Sequence, residues 1–288
     1  MPGRDGMPLQ EPELNLAELL RVSFASHDTF EGHCLAGASG RIFGGQVAAQ
    51  AFRAASLRLK GEFRPSSSHS LFLRPGNPAI PVRYSVTELK VGRSLSNYRI
   101  DATQLTAQGE RSVILTAFAS FHLDEPSRNY QDVMPETISA QECGITDYIP
   151  PGSNPAVRAP IEFRWPDSIS TSLNPAPPRQ LTWFRCRSEL PDEYSLHASA
   201  LVYISDLTLS RTAHMPLRKP ELIQLGASLD HILWFHRPFK VGEWMLFDQV
   251  TTTFALARAL SNGKVFSASG ELIATVTQEA LIRSTSSM

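Results

Sequence analysis

Two parts of this 288-residue chain carry similar patterns in the same order, and that repetition limits how the chain can fold. In each part a helix-like stretch comes before several strand-like runs. Landmarks of the first part recur in the second at separations of 163, 165 and 161 positions: Leu73-Arg74-Pro75 with His236-Arg237-Pro238, Arg93 with Arg258, and Gly109 with Gly270. Such near-constant spacing indicates a tandem duplication. Two packed units also suit the length, since a single core seldom grows beyond about 250–300 residues.

Each unit is predicted to be a helix enclosed by strands. Residues 46–59 place Ala48, Ala51 and Ala55 at helical spacing, which gives the helix a face of small residues. Small residues let a sheet curl closely around a helix. Strand-like runs follow at 84–89, 96–100 and 113–121, and the second part has a helical stretch at 196–209 before strands at 244–257, 265–267 and 271–283. The pattern therefore predicts an α+β fold of two tandem units, each a helix wrapped by a curled antiparallel sheet.

A proline-rich segment separates the two units. Residues 124–180 hold ten of the 21 prolines, and this segment is far longer than the usual connection of about 4–6 residues. We predict a partly ordered strap there. The expected organisation is an N-terminal unit at 1–123, a linker at 124–180 and a C-terminal unit at 181–288.

Composition narrows the class of protein. Twenty-seven basic residues against 28 acidic ones leave a formal charge of -1, which lacks the electrostatic footprint of a nucleic-acid binder. Cys34, Cys143 and Cys186 are too few and too scattered for a disulfide framework or a zinc ribbon. No apolar run is long enough to span a membrane, and no signal peptide is recognisable. We expect a cytoplasmic protein, because the final Ser-Ser-Met only faintly resembles a peroxisomal signal.

The duplication provides an internal control for the last strand of each unit. Gln278 lies on a face with Leu272, Ala274 and Val276, at the place that Ala117 takes in the first unit. Side chains alternate along a strand, so this amide is predicted to point into an apolar interior. An amide without a partner there would cost about 1–3 kcal/mol. Gln278 is therefore either a site residue or a buried glutamine that is bonded to the backbone.

Asp206 is a second polar residue in an apolar stretch, at 200–209. It could act as the N-cap of a new turn, although Leu209 stands where a capping box would have Glu or Gln. It could equally be a functional carboxylate. The residues leave both interpretations open.

The tract at 225–239 adds Ser228, Asp230, His231 and His236 to an otherwise strand-like run. A Gly-x-Ser-x-Gly elbow is absent because Asp230 occupies the place of its second glycine, which disfavours a Ser-His-Asp hydrolase. Asp230 and His231 are neighbours on a strand and point to opposite faces, which favours structural roles for both. Gly44-Gly45 before the first helix could present backbone amides to an anion, or could simply allow tight entry into the helix.

These motifs together resemble the acyl-CoA thioesterase II family, whose fold is a double hotdog. The resemblance covers nearly all of the chain outside the strap. It is carried by Gly40-Arg-Ile-Phe-Gly-Gly-Gln-Val-Ala-Ala-Gln50, His69-Ser-Leu-Phe-Leu-Arg-Pro-Gly76, Tyr203-Ile-Ser-Asp206, Leu229-Asp-His-Ile-Leu-Trp-Phe-His-Arg-Pro-Phe239 and Gln278-Glu-Ala-Leu-Ile-Arg283.

The resemblance implies hydrolysis of fatty acyl-CoA by a water that Asp206, Ser228 and Gln278 hold and activate, without a cofactor or metal. Ser228 stands where some members have threonine and keeps the hydroxyl. The first unit is expected to be a structural partner only, and a homo-oligomer is expected, most simply a dimer of double hotdogs. Arg93 and Arg258 are candidates for contacts with the CoA phosphates, although an arginine on a sheet edge is more often solvated. The alternatives are a non-catalytic acyl-CoA-binding protein and a hotdog-type enoyl-CoA hydratase, which would need Asp230 and His231 to act together.

Overall fold

The computed structural model describes residues 15–37, 40–59, 61–144, 154–166, 176–216 and 223–284, with the backbone alone at 223–226 and 284. The helices in these ranges are α1 (Leu16–Leu19), α2 (Gly44–Ser56), α3 (Pro155–Arg158), α4 (Tyr194–Ser205) and a 3₁₀ helix (Leu209–His214). The strands are β1 (Ser23–Ser26), β2 (Thr29–Gly32), β3 (Arg64–Phe72), β4 (Val82–Val91), β5 (Leu95–Leu105), β6 (Arg111–His122), β7 (Ile161–Arg164), β8 (Arg179–Cys186), β9 (Ile223–Ser228), β10 (Asp230–Phe235), β11 (Met245–Ala255), β12 (Arg258–Ser267) and β13 (Leu272–Ser284).

The described strands form one antiparallel sheet whose two halves mirror each other. Its order is β1-β2-β4-β5-β6-β3-β10-β13-β12-β11-β8-β7, and β9 pairs with β13 beside this path. The halves meet where β3 pairs with β10, from Asp230 opposite Leu71 to Trp234 opposite Ser67. This mirrored order is what a duplicated unit produces. The prediction of an α+β double hotdog is confirmed.

Helix α2 lies inside the first half of the sheet because its side chains are small. Ala48, Ala51 and Ala55 have no exposed surface. Helices α2 and α4 also pack against each other, and α4 contacts β3 of the first half-sheet. Gln46 and Gln50 are buried as well, and their amides donate to the backbone oxygens of Leu19 and His33, which meets the cost of burying them.

The predicted linker contains secondary structure of its own. Helix α3 lies within 124–180, and β7 pairs with β8 at the edge of the second half-sheet. Another part of the strap is held against this half: Gln131 bonds with the backbone of Gly270 and Leu272, and the Trp183 indole donates to Ile138. The division into units at 123/124 and 180/181 stays a prediction.

Two further expectations concern membranes and cysteines. In the part of the chain that the structure covers, no helix is long and apolar enough to cross a membrane. The three cysteines are buried and form no disulfide with one another.

Candidate active site

Asp206, Ser228 and Gln278 come together from three separate elements. The Nε2 of Gln278 donates to Asp206 Oδ1 over 2.5 Å and to Ser228 Oγ over 2.7 Å. Asp206 follows the end of α4, Ser228 ends β9, and Gln278 lies in β13. Since β9 pairs with β13 so that Ser228 lies opposite Ala280, the serine is held close to Gln278.

Asp206 is the C-cap of α4. It is not the N-cap of the next turn: the 3₁₀ helix begins after Thr208, and no side chain caps it. The capping interpretation of this carboxylate is therefore wrong. At the corresponding end of α2 the C-cap is Leu57, so the aspartate is particular to the second unit.

Gln278 is 1% exposed, and its amide bonds with side chains rather than with the backbone. The alternative of a buried glutamine that is bonded to the backbone is therefore wrong. Its Oε1 is buried and has no hydrogen-bond partner within the described ranges. In the first unit, β6 carries buried Ala117 and Ala119 on its inner face. Only the second unit therefore has an amide at this depth in its last strand.

The first unit also contacts Asp206, through one of the two glycines that open its helix. The backbone amide of Gly45, in the first turn of α2, hydrogen-bonds with Asp206. A Cβ on Gly45 would lie 2.6 Å from Phe43 Cζ and 2.9 Å from Asp206 Cβ, so this approach requires glycine. The first unit therefore supplies a backbone N–H beside Asp206. In the sequence, the Gly44-Gly45 pair was the signal for this contact. The pair allows close packing against Asp206, and Gly45 donates a backbone hydrogen bond to it.

Burial raises the pKa of Asp206 to about 6, while the hydrogen bonds from Gln278 and Gly45 act to lower it. Desolvation dominates because removing a carboxylate from water disfavours its charged form. What exposed surface remains on Asp206 faces a cavity. A carboxylate whose pKa lies near neutral pH can take up a proton and release it again, as a general base must.

The cavity has a volume of about 600 Å³ and lies between the two units. Asp206 and Ser228 line it, whereas Gln278 lies behind them. Much of the wall is apolar and comes from the first unit, including Val47, Phe72 and Leu115. An apolar pocket with a few convergent polar groups is the usual form of a small-molecule site.

The other polar residues of the 225–239 tract do not join this site. Asp230 Oδ1 accepts from the backbone N–H of Glu279 over 2.7 Å. His231 has no exposed surface, and its Nε2 contacts Ser205 Oγ at 3.2 Å. Burial lowers the pKa of His231 to about 3, so the ring stays neutral. The two residues act on different parts of the structure, which leaves the hydratase alternative without its acid–base pair.

Arg93 and Arg258 do not line the cavity either. Arg258 forms an ion pair with Glu279 at 3.5 Å. These two arginines are therefore not contacts for a ligand in this cavity.

Comparison with known proteins agrees with the fold. A model of the acyl-CoA thioesterase N-terminal domain matches residues 36–122, and a model of the acyl-CoA thioesterase C-terminal domain matches residues 135–282. Acyl-CoA thioesterase 2 of Haemophilus influenzae is 32% identical over 284 residues, covering 93% of this chain and 97% of the relative. Acyl-coenzyme A thioesterase 8 of Mus musculus is 30% identical and is covered over 88% of its length.

Solved structures show the same similarity. An acyl-CoA thioesterase II from Mycobacterium marinum superposes with a TM-score of 0.79 at 32% identity, over 93% of this chain and 98% of that one. A hotdog-fold protein from Alicyclobacillus acidocaldarius, at 21% identity and a TM-score of 0.77, shares the fold. The fold and the relatives together define a hotdog-fold thioester hydrolase. The chain belongs to the acyl-CoA thioesterase family.

Proposed function

We propose that this protein hydrolyses fatty acyl-CoA to a free fatty acid and CoA, and that Asp206, Ser228 and Gln278 carry the reaction. The observation that supports this most strongly is the contact of all three at the wall of an apolar cavity. The substrate class comes from the family, and the apolar wall suits an acyl chain.

Asp206 acts as the general base. Its ionised carboxylate takes a proton from a water, and the resulting hydroxide attacks the thioester carbonyl carbon. The tetrahedral intermediate collapses, the C–S bond breaks, and the CoA sulfur leaves with the proton that Asp206 had accepted. General-base catalysis of this kind contributes about 10²- to 10⁴-fold.

Ser228 and Gln278 position that water. Gln278 donates one hydrogen bond to the carboxylate and one to the serine oxygen, so it fixes both side chains relative to each other. Because Ser228 Oγ accepts from Gln278, its own hydroxyl proton is directed towards another acceptor. That acceptor is the attacking water, which accepts from Ser228 and directs one of its own two protons to Asp206.

The backbone N–H of Gly44 stabilises the developing oxyanion. Gly44 is the first residue of α2 and lines the cavity, and the first N–H groups of a helix have no partner within it. Both hydrogens of the Gln278 amide already have acceptors, so Gln278 does not supply this donor. One oxyanion donor is typically worth about 10²- to 10³-fold in turnover.

The proposal is tested by free-thiol release from a panel of acyl-CoAs of short, medium and long chain, with the wild type and with Ser228→Ala and Ser228→Thr. We expect turnover by the wild type, a clear loss in the alanine variant and substantial activity in the threonine variant, which keeps the hydroxyl. Binding of acyl-CoA without any thiol release would instead indicate a non-catalytic acyl-CoA-binding protein.

Two further expectations stay predictions. A homo-oligomer, most simply a dimer of double hotdogs, would give twice the chain mass or more in light scattering after size exclusion. A cytoplasmic location would be tested by imaging the tagged protein in its own cells.

A further inference from the structure

The charged residues around the cavity are unusually one-sided for this chain. Arginines at four positions line it, and Asp206 is the one acidic residue among the lining residues. The whole chain carries a formal charge of -1, so this excess of positive charge is local. The four are Arg41, Arg74, Arg158 and Arg283.

Three of these arginines are exposed: Arg41, Arg74 and Arg283. Within the described ranges none of the three forms an ion pair. Arginines elsewhere on the surface are commonly paired with a carboxylate, for example Arg179 with Asp248 and Arg64 with Asp124. The fourth, Arg158, is buried, and its guanidinium lies 4.5 Å from the centre of the Phe163 ring. Unmatched positive charge at the edge of a pocket is suited to an anionic ligand.

Arg74 is already held in place. Its backbone N–H donates to Ile114, and its Nη1 donates to the backbone oxygen of Val113 over 2.8 Å. The following residue is Pro75, which restricts the backbone further. An anchored guanidinium keeps its remaining N–H donors in a fixed fork, the geometry that matches the oxygens of a phosphate.

We infer that Arg41, Arg74 and Arg283 form a phosphate-binding rim that holds the diphosphate and 3′-phosphate of CoA while the thioester reaches Asp206. The inference rests on the proposed function for the identity of the ligand. The three arginines line the same cavity as Asp206, and acyl-CoA carries a thioester at one end and phosphates at the other. The buried Arg158 adds positive charge to the lining of the same cavity.

The experiment compares ligands with and without the nucleotide. The double variant Arg41→Gln/Arg283→Gln changes two exposed side chains, and Arg93→Gln is the matched control away from the cavity. We measure kcat/KM for an acyl-CoA and for the same acyl group on pantetheine. We also measure the binding of free CoA and of pantetheine by calorimetry at two salt concentrations.

The ratio of kcat/KM for acyl-CoA to that for acyl-pantetheine is expected to fall about tenfold in the double variant, mostly through KM, and to stay unchanged in Arg93→Gln. That size is what partly screened, charge-assisted contacts contribute. Affinity for CoA should weaken by a similar factor, and its salt dependence should become shallower because fewer ionic contacts remain. An unchanged ratio and unchanged CoA affinity would overturn the phosphate rim, even if the protein hydrolyses thioesters. CoA binding that depends on these arginines without hydrolysis would support the rim and overturn the proposed function.

Discussion

Replacing Asp206 with asparagine is expected to stabilise the fold. Burial raises the pKa of Asp206 from its ordinary 3.8 to about 6, so the folded chain holds this proton more tightly than the unfolded chain does. A tenfold difference in proton affinity is worth about 1.4 kcal/mol, so the ionised carboxylate costs the folded state about 3 kcal/mol at neutral pH. Asparagine carries no charge and keeps an oxygen that can accept from Gln278.

The pH dependence of this effect has a defined sign. Below pH 3.8 the carboxyl is protonated in both states and the cost vanishes. Between pH 3.8 and about 6 only the unfolded state ionises, so wild-type stability falls as pH rises through this window. Above it the difference from Asp206→Asn is constant. For a chain of this size, 3 kcal/mol corresponds to a gain in melting temperature of about 6–12 °C.

Thermal and urea unfolding at pH 4, 5, 6 and 8 would measure this difference. The control is Asp230→Asn, because Asp230 lies outside the cavity and accepts from the backbone of Glu279. We expect Asp206→Asn to resemble the wild type at pH 4 and to be the more stable of the two at pH 8. A variant that is less stable at pH 8, or a difference that does not change with pH, would refute the argument that burial makes this carboxylate costly.

Three other predictions concern the reaction. The kcat/KM of the wild type should rise with pH through about 6, because Asp206 must be ionised to act as the base. Gln278→Ala should move this inflection to higher pH, because it removes a hydrogen bond that lowers the pKa of Asp206. An inflection that does not move would contradict this role of Gln278. Gly44→Pro removes one N–H at the first helical position, where proline is tolerated, and should lower kcat by about 10²- to 10³-fold. Gly44→Ala is the control: it keeps the N–H and adds only a Cβ, which would lie 3.0 Å from the Phe72 ring. Equal losses of kcat in the two variants would argue against the oxyanion role. Val47→Phe narrows the cavity beside its apolar wall and should shift the preferred acyl-CoA towards shorter acyl chains in a thiol-release panel. An unchanged preference would mean that the acyl chain binds elsewhere.

The sequence contained enough to predict the fold and to single out two of the polar residues at the site. Gln278 stood out because the duplication supplies an apolar counterpart, and Asp206 stood out because it interrupts an apolar stretch. Small residues in 46–59 likewise indicated the enclosed helix. The signals at Asp206 and at 46–59 lie within one short stretch of sequence, and the signal at Gln278 comes from comparing the two units. Neither kind requires knowledge of the three-dimensional packing.

The contacts between units could not be predicted in the same way. The Gly45 amide meets Asp206 only because α2 and α4 pack against each other, and no local pattern in either helix encodes that packing. The arginine rim is assembled from distant segments, which no spacing rule connects. The C-cap position of Asp206 was equally hidden, since an aspartate in an apolar stretch is compatible with the end of one helix or the start of another.

The central claim is that Asp206 is the base in the hydrolysis of a thioester. The most direct measurement is the initial rate of free-thiol release from a saturating acyl-CoA at pH 8 by the wild type, Asp206→Asn and Asp230→Asn. We expect Asp206→Asn to lose at least about 10²-fold in turnover while Asp230→Asn keeps the wild-type rate. Turnover by Asp206→Asn at the wild-type rate, or no thiol release by any of the three, would contradict the account.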